Sequence, residues 1–222
     1  MGEKGGVSPP KAQYTFGEEI ANAASHGLGA LLAIAGLAVL TVAAARRGEG
    51  AWQVVPCVVY GAAMVLMFTT STLYHSFTHP RAKRVFRVLD HEMIFLMIAG
   101  SYTPFVLITL RGALGWWLFG AVWGIAAGGM VFQGFFTGRF RWASTGLYVL
   151  MGWIIVFALK PLAENMSPAG MRWLVAGGLC YTAGAGIYMS KKVPYHHAAW
   201  HLMVLAGSAC HYFAILRHVL PA

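Results

Sequence analysis

Seven long runs of apolar residues, separated by short polar or turn-forming stretches, dominate this sequence. A helix that rises about 1.5 Å per residue needs about 20 apolar residues to cross about 30 Å of hydrocarbon, and each run is close to that length. The runs cover roughly residues 22–45, 53–76, 89–110, 114–136, 142–160, 171–190 and 196–218. The third and fourth are separated least clearly, at Arg111-Gly112, so a count of six stays open.

Composition decides what kind of solvent such a chain needs. Of its 222 residues, 58% are hydrophobic and 10% are charged, whereas soluble domains carry about 25% charged residues. A water-soluble fold of this size cannot hide so much apolar surface. The sequence therefore predicts an all-α, seven-transmembrane helix bundle over residues 17–222, preceded by a short cytoplasmic tail over residues 1–16.

The basic residues predict the orientation of the bundle. With a cytoplasmic N-terminus, ten of the Lys and Arg residues fall inside and six fall outside, which follows the positive-inside rule. The dense stretch 81–87, read as a cytoplasmic loop, contributes most to this bias. We therefore expect the C-terminus outside. The same rule accounts for the net charge of +9 without a nucleic-acid partner.

Ionisable residues cluster at one end of the predicted spans. His75 ends the second run, Asp90 begins the third, and His197 and His201 begin the seventh. An even-numbered span ends on the cytoplasmic side and an odd-numbered span begins there, so all four residues are predicted at one depth. Ionisable groups at membrane depth are expensive, and those that persist usually face a cavity or a partner.

The spacing of these residues suits a metal ion. His197 and His201 are four residues apart, which places both imidazoles on one helix face, where they can share a zinc ion. His75 would be a third ligand, and three ligands with a water in the fourth position are typical of catalytic zinc. Ser71 lies one turn before His75, and Asp90 could hydrogen-bond the water. The alternatives are histidines that only pack, and a Ser71 hydroxyl that bonds back to a carbonyl one turn earlier.

Several other residues have expected positions. His26 begins the first span and either lines the same cavity or only marks the helix entry. His79 precedes Pro80 and is predicted to lie in a loop, and His211 lies too deep to join the site. A four-residue glycine repeat at Gly120, Gly124 and Gly128 is predicted to let a neighbouring backbone approach closely. Tryptophans near the span ends are expected to be interfacial anchors, at positions 52, 116, 117, 142 and 173.

Four segments together resemble the bacterial hemolysin III proteins, the bacterial branch of the progestin and adipoQ receptor family. They are Glu18 to Asn22 running into Ser25-His26-Gly27, Ser71-x3-His75, Asp90 to Phe105, and His197-x3-His201. The resemblance covers roughly Phe16 to Arg217. That family belongs to a wider superfamily of membrane hydrolases that includes the alkaline ceramidases.

The resemblance implies a zinc ion near the cytoplasmic leaflet of a bacterial plasma membrane. By motif position, His75, His197 and His201 would be its ligands, Asp90 would contact it through a water, and Ser71 would be the motif serine. Eukaryotic receptors of the family are linked to hydrolysis of lipid amides, and bacterial members to membrane-lipid homeostasis.

We therefore expect a zinc-dependent hydrolase of lipid amides or esters. The acyl chain of its membrane-lipid substrate would lie in an apolar cavity lined by Phe95, Met97 and Phe105. One alternative is a non-enzymatic sensor of membrane state in which zinc is structural. The other is a pore-forming cytolysin, which is weaker because the polar cluster occupies only one end of the spans.

Overall fold

A computed structural model describes residues 14–190 and 193–220, and their regular secondary structure is entirely helical. The α-helices are α1 Phe16–Arg46, α2 Ala51–Ser76, α3 Pro80–Pro104, α4 Gly112–Phe136, α5 Arg141–Gly152, α6 Leu159–Asn165, α7 Pro168–Ser190 and α8 His196–Ala214. A π-helix continues α3 over Phe105–Leu110, another continues α8 over Ile215–Val219, and a 3-10 helix, Ile154–Ala158, joins α5 to α6. The described residues thus form seven helical rods, which confirms the all-α prediction.

Six of these rods are long and apolar enough to cross a membrane, over Phe16–Arg46, Ala51–Ser76, Pro80–Leu110, Gly112–Phe136, Arg141–Asn165 and His196–Val219. The remaining rod, α7, has 23 residues but is diluted by glycine and alanine. Large apolar side chains cover the outside of the bundle, and Phe135 and Phe157 are 78% and 85% exposed. Only lipid tolerates such a surface. The five tryptophans lie near helix starts and are exposed, as expected of interfacial anchors.

The rods form a closed ring. α1 packs against α2, α2 against α3, α3 against α4, and α7 against α8, and α8 returns to contact α1. The contacts of α5 with α4 and α7 are sparse by comparison, and a cavity lies beside α5 in the space between the helices. The apolar core fills the middle of the ring, with Tyr60, Leu40 and Leu118 fully buried.

Three helix boundaries differ from the predictions or refine them. α3 begins at Pro80 rather than near residue 89, so Arg81–Arg87 is helical and the predicted loop there is wrong. Proline is favoured at the first position of a helix, where its missing N–H breaks no hydrogen bond. Pro161 lies in the first turn of α6, where a missing N–H also breaks no hydrogen bond within the helix. The uncertain break at Arg111-Gly112 is real, because both residues have positive φ, 44° and 65°.

The fifth rod is interrupted at Trp153, which the apolar pattern did not predict. The hydroxyl of Tyr102 compensates for this interruption. It lies 2.8 Å from the Gly152 carbonyl oxygen and accepts a hydrogen bond from the Ile155 backbone N–H at 2.9 Å. In a bilayer, a backbone group released from a helix must find a partner inside the protein. The interruption therefore depends on α3 for its hydrogen bonds.

The glycine-repeat prediction is wrong for the described residues. A Cβ placed at Gly120, Gly124 or Gly128 meets nothing within 4 Å, because this face of α4 points out of the bundle. The close approach occurs elsewhere: a Cβ at Gly61 on α2 would lie 2.5 Å from Leu37 Cδ1 and 3.1 Å from Leu37 Cα on α1. The periodicity of small residues indicated a smooth helix face but did not indicate which way it points.

Gly61→Ala should destabilise the bundle. The added methyl group would collide with the α1 backbone at Leu37, and overpacking of this kind typically costs about 1–3 kcal/mol. Thermal unfolding in a neutral detergent would measure the effect as a lower Tm. Gly120→Ala is the matched control, since its new methyl group meets open space, and it should leave the Tm unchanged or higher. Equal Tm values for the two variants would contradict this packing of α1 on α2.

Candidate metal centre

Three imidazoles converge at one end of the bundle. His75 comes from the last turn of α2, and His197 and His201 come from the first two turns of α8. One ring nitrogen from each lies within 4.8 Å of the others, and all three side chains are buried. The nearest pair is His75 Nε2 and His197 Nε2, which are 3.2 Å apart. The predicted meeting of these three histidines is confirmed.

The geometry fits a tetrahedral metal ion. Two nitrogen ligands at about 2.0–2.1 Å from zinc, separated by a tetrahedral angle, lie about 3.3 Å apart, close to the spacing of the two Nε2 atoms. Two of the three opposite nitrogens are occupied: His75 Nδ1 lies 2.6 Å from Glu19 Oε2, and His201 Nδ1 lies 3.1 Å from the Asn22 carbonyl oxygen. Metal-binding histidines commonly donate their other N–H in this way, which fixes the ring and its tautomer. The third of these nitrogens, His197 Nδ1, is buried without a hydrogen-bond partner among the described residues.

The first turns of α1 supply the groups that contact the Nδ1 atoms of His75 and His201. Glu19 also binds Lys83 Nζ at 2.7 Å, and Ser25 Oγ lies 3.0 Å from His201 Nδ1. Glu19, Asn22 and Ser25 belong to one of the four segments that carry the family resemblance, but none of them had a predicted role. The available signal was their spacing: residues 19, 22 and 25 recur every three positions and so share one side of a helix.

The start of α1 also closes the site. A capping box between Thr15 and Glu18 begins the helix, and Glu18 Oε1 accepts a hydrogen bond from the backbone N–H of Tyr195 at 3.2 Å. The buried ring of Tyr14 lies 4.9 Å from the His197 ring, centroid to centroid. Residues 1–13 of the predicted tail lie outside the described residues. The end of that tail, from Tyr14 onward, is part of the site.

Ser71 has a buried hydroxyl without a hydrogen-bond partner among the described residues. Its neighbours behave differently, because Thr70, Thr72 and Ser76 all donate to a carbonyl one turn earlier. The alternative in which Ser71 bonds back to the helix is therefore not observed. A buried hydroxyl group without a hydrogen-bond partner destabilises the folded state unless a ligand or a water molecule pairs with it. The Ser71 hydroxyl lies one helical turn from His75.

A cavity of about 340 Å³ adjoins the histidines. Asp90, His197, His201 and His26 all line it, so Asp90 faces the same space as two of the three predicted ligands. His26 stacks on His201, with ring centroids 3.5 Å apart. Its position in the cavity wall favours the first of its two predicted roles.

The predicted acyl cavity needs one correction. Met97 lines the main cavity, and Phe105 lines a smaller cavity that shares Tyr102, Trp153 and His211 with it. Phe95 lines neither: its ring packs over Gly129 and lies 4.6 Å from the Tyr148 ring. Helical position alone could not distinguish the face of α3 that points to the cavity from the face that packs on α4.

Two histidines stay outside the centre, as predicted. His79 is exposed at the start of α3, and His211 is buried deep in α8, with Nε2 3.2 Å from the Leu174 carbonyl oxygen.

Comparison with known proteins finds relatives over nearly the whole chain. The family model described as Haemolysin-III related matches residues 14–212. Hemolysin-3 of Bacillus cereus is 50% identical over 204 residues, which cover 92% of this chain and 93% of that protein. The Hemolysin-3 homolog of Bacillus subtilis (strain 168) is 46% identical over 203 residues, 91% of this chain and 95% of that one. The human monocyte to macrophage differentiation factor is 27% identical over 221 residues, covering 96% and 90%.

The match reaches all seven rods, ends at residue 212 within α8, and includes His75, His197 and His201. It confirms the resemblance drawn from the four sequence segments. The chain therefore belongs to the Haemolysin-III related family of membrane proteins.

Proposed function

We propose that the protein is a zinc-dependent hydrolase of lipid amides or esters in a bacterial plasma membrane. The observation that carries this proposal is the convergence of three buried imidazole nitrogens beside a cavity that is also lined by a carboxylate, Asp90. Three histidine ligands with an open position are the usual arrangement of catalytic zinc, and the cavity is largely apolar, as an acyl chain requires.

His75, His197 and His201 would hold the metal. A zinc ion so bound supplies Lewis acidity, which acidifies a water molecule and polarises a carbonyl group. Asp90 would act as general base, taking a proton from the attacking water and delivering it to the leaving amine or alcohol. The unpartnered hydroxyl of Ser71 would donate a hydrogen bond to an oxygen of the reacting group.

We also propose that all seven rods cross the bilayer, with the N-terminus in the cytoplasm and the C-terminus outside. Support comes from the excess of basic residues at the histidine end of the bundle and from the 23-residue length of α7, enough for about 35 Å of helix. In this orientation the histidine cluster lies near the cytoplasmic leaflet.

A second candidate function is a regulator in which the metal is structural. One observation favours it: the cluster joins the end of α2 to the start of α8, two helices that are separated by α1 in the ring. A metal at this position would tie the two helices together and couple their packing to the surrounding lipid. The experiments below separate the two candidates.

The wild-type protein, purified in detergent, should contain about one zinc ion per chain. The variant His75→Ala/His197→Ala/His201→Ala should contain none, because all three ligands are gone. Elemental analysis would measure both. His79→Ala is the control, since His79 is exposed at the start of α3, and it should keep its zinc. Zinc retained by the triple variant would place the metal elsewhere.

Asp90→Asn should keep the zinc but lose hydrolysis, since an amide cannot accept the proton. Removing a general base typically slows a reaction by about 10²- to 10⁴-fold, and mass spectrometry of fatty acid released from ceramides and other acyl lipids would measure it. Glu92→Gln is the control on the same helix, because Glu92 faces Gly134 on α4, and it should stay active. Zinc-loaded wild-type protein that releases no fatty acid would favour the regulator.

Fusion reporters should confirm the orientation. Alkaline phosphatase fused after residue 220 should be active, because it folds only outside the cytoplasm, and fluorescent protein at the same position should be dark. After residue 138, between α4 and α5, the pattern should reverse. A fluorescent C-terminal fusion would indicate an even number of crossings.

A further inference from the structure

Two arginines face the cavity from different helices. Arg87 lies two turns into α3, Arg141 begins α5, and both are half-buried in the cavity wall. The ion pairs among the described residues use other cations, such as Lys83 with Glu19 and Arg111 with Glu49. Within residues 14–190 and 193–220, neither Arg87 nor Arg141 has a carboxylate oxygen within 4.0 Å. The Nε atom of each is buried without a hydrogen-bond partner in this part of the chain.

Both guanidinium groups are held in place by their surroundings. Arg141 Cζ lies 4.4 Å from the centroid of the Tyr188 ring, and an Nη2 atom of Arg141 donates to the Tyr188 carbonyl oxygen. Arg87 extends over Gly138, where a Cβ would collide with its Nη2 atom. Gly138 also has φ 79°, so glycine is favoured there both by its backbone and by the space that Arg87 occupies.

The cavity around the two arginines is polar at one end and apolar along its depth. Ser144 and Thr145, in the first turn of α5, line the polar end. Met97, Ile98 and Val149 line the apolar part. A volume of about 340 Å³ is at the lower end of the range for small-molecule pockets, about 300–1,000 Å³. This arrangement matches an amphiphile with a charged head and an apolar tail.

The charge balance at the polar end favours an anion. Asp90 is the nearby carboxylate on α3, and its Oδ2 atom lies 3.6 Å from His91 Nδ1, so one negative charge faces two fixed positive charges. A partly buried guanidinium without a counter-charge is unfavourable. Its planar fork of N–H groups is complementary to a phosphate or a carboxylate, which it can bind through two parallel hydrogen bonds.

We propose that Arg87 and Arg141 bind the anionic head group, a phosphate or a carboxylate, of an acyl lipid whose chain lies in the apolar part of the cavity. The Tyr188 ring connects this pocket with the histidine cluster, since it lies 4.4 Å from Arg141 Cζ and 5.7 Å from the centroid of the His197 ring. The head group would therefore lie about one aromatic ring away from the metal centre. This is an inference about binding and does not require that the lipid be hydrolysed.

Lipid binding to the purified full-length protein in a neutral detergent tests the proposal. Native mass spectrometry would compare oleoyl lysophosphatidate and oleate with mono-olein, which has the same chain and no charge. The wild type should bind the two anionic lipids about tenfold more tightly or better, the typical strength of hydrogen bonds to charged groups. Arg87→Gln/Arg141→Gln should abolish this preference while its affinity for mono-olein is unchanged.

The matched control is Arg84→Gln/Arg139→Gln. It removes the same two charges from exposed positions on α3 and in the α4–α5 connection, and it should keep the full preference for anionic lipids. An equal loss in both double variants, or no preference in the wild type, would overturn the proposal. Inorganic phosphate that competes as strongly as lysophosphatidate would assign the pocket to a free anion and overturn its lipid part. Zinc content, measured on the same samples, reports separately on the metal site.

Discussion

Three imidazoles buried at one end of an otherwise apolar bundle are the constraint around which this structure is organised. A polar group at membrane depth needs a partner, and the cluster finds its partners in three helices. His75 belongs to α2, His197 and His201 belong to α8, and α1 provides Glu19 and the Asn22 carbonyl oxygen. The ring of helices closes between α8 and α1, so the first and last helices of the chain meet at the chemical centre.

The beginning of α1 has more than one structural role. Its capping box fixes where the helix begins, and Glu18 reaches across to the Tyr195 N–H at the start of α8. The next residue, Glu19, joins His75 to Lys83 on α3. Through these contacts the polar first turn of α1 becomes part of the histidine site. The orientation of the His75 ring therefore depends on α1 as well as on α2.

The cavity beside the histidines exists because α5 packs loosely on its neighbours. Among its hydrogen bonds to α3 and α7, Tyr102 supports the interruption at Trp153, the Tyr148 hydroxyl donates to the His91 carbonyl oxygen, and Arg141 donates to the Tyr188 carbonyl oxygen near the end of α7. The cavity around these contacts has arginines and hydroxyls at one end and apolar side chains along its depth. A histidine cluster, a carboxylate and a largely apolar space in one cavity are the elements that the proposed lipid hydrolase requires.

The sequence by itself determined the helices and identified the three histidines that meet at one end of the bundle. Apolar runs of the right length specify rods because a bilayer leaves the backbone no other partners, and a four-residue histidine spacing on a helix leaves two imidazoles on one face. Counting spans was enough to place His75, His197, His201 and Asp90 at one end.

Only the tertiary structure decided which faces meet. It turned the glycines of α4 outward, placed Phe95 against Gly129 rather than in the cavity, extended α3 back to Pro80, and interrupted the fifth rod at Trp153. It also revealed the contact of Glu19 with His75 and placed Arg87 and Arg141 in the wall of one cavity. A one-dimensional pattern gives the depth of a residue in the membrane, because depth follows from position along a helix. Rotation about the helix axis follows from packing with neighbours that are distant in the chain, and no local pattern contains it.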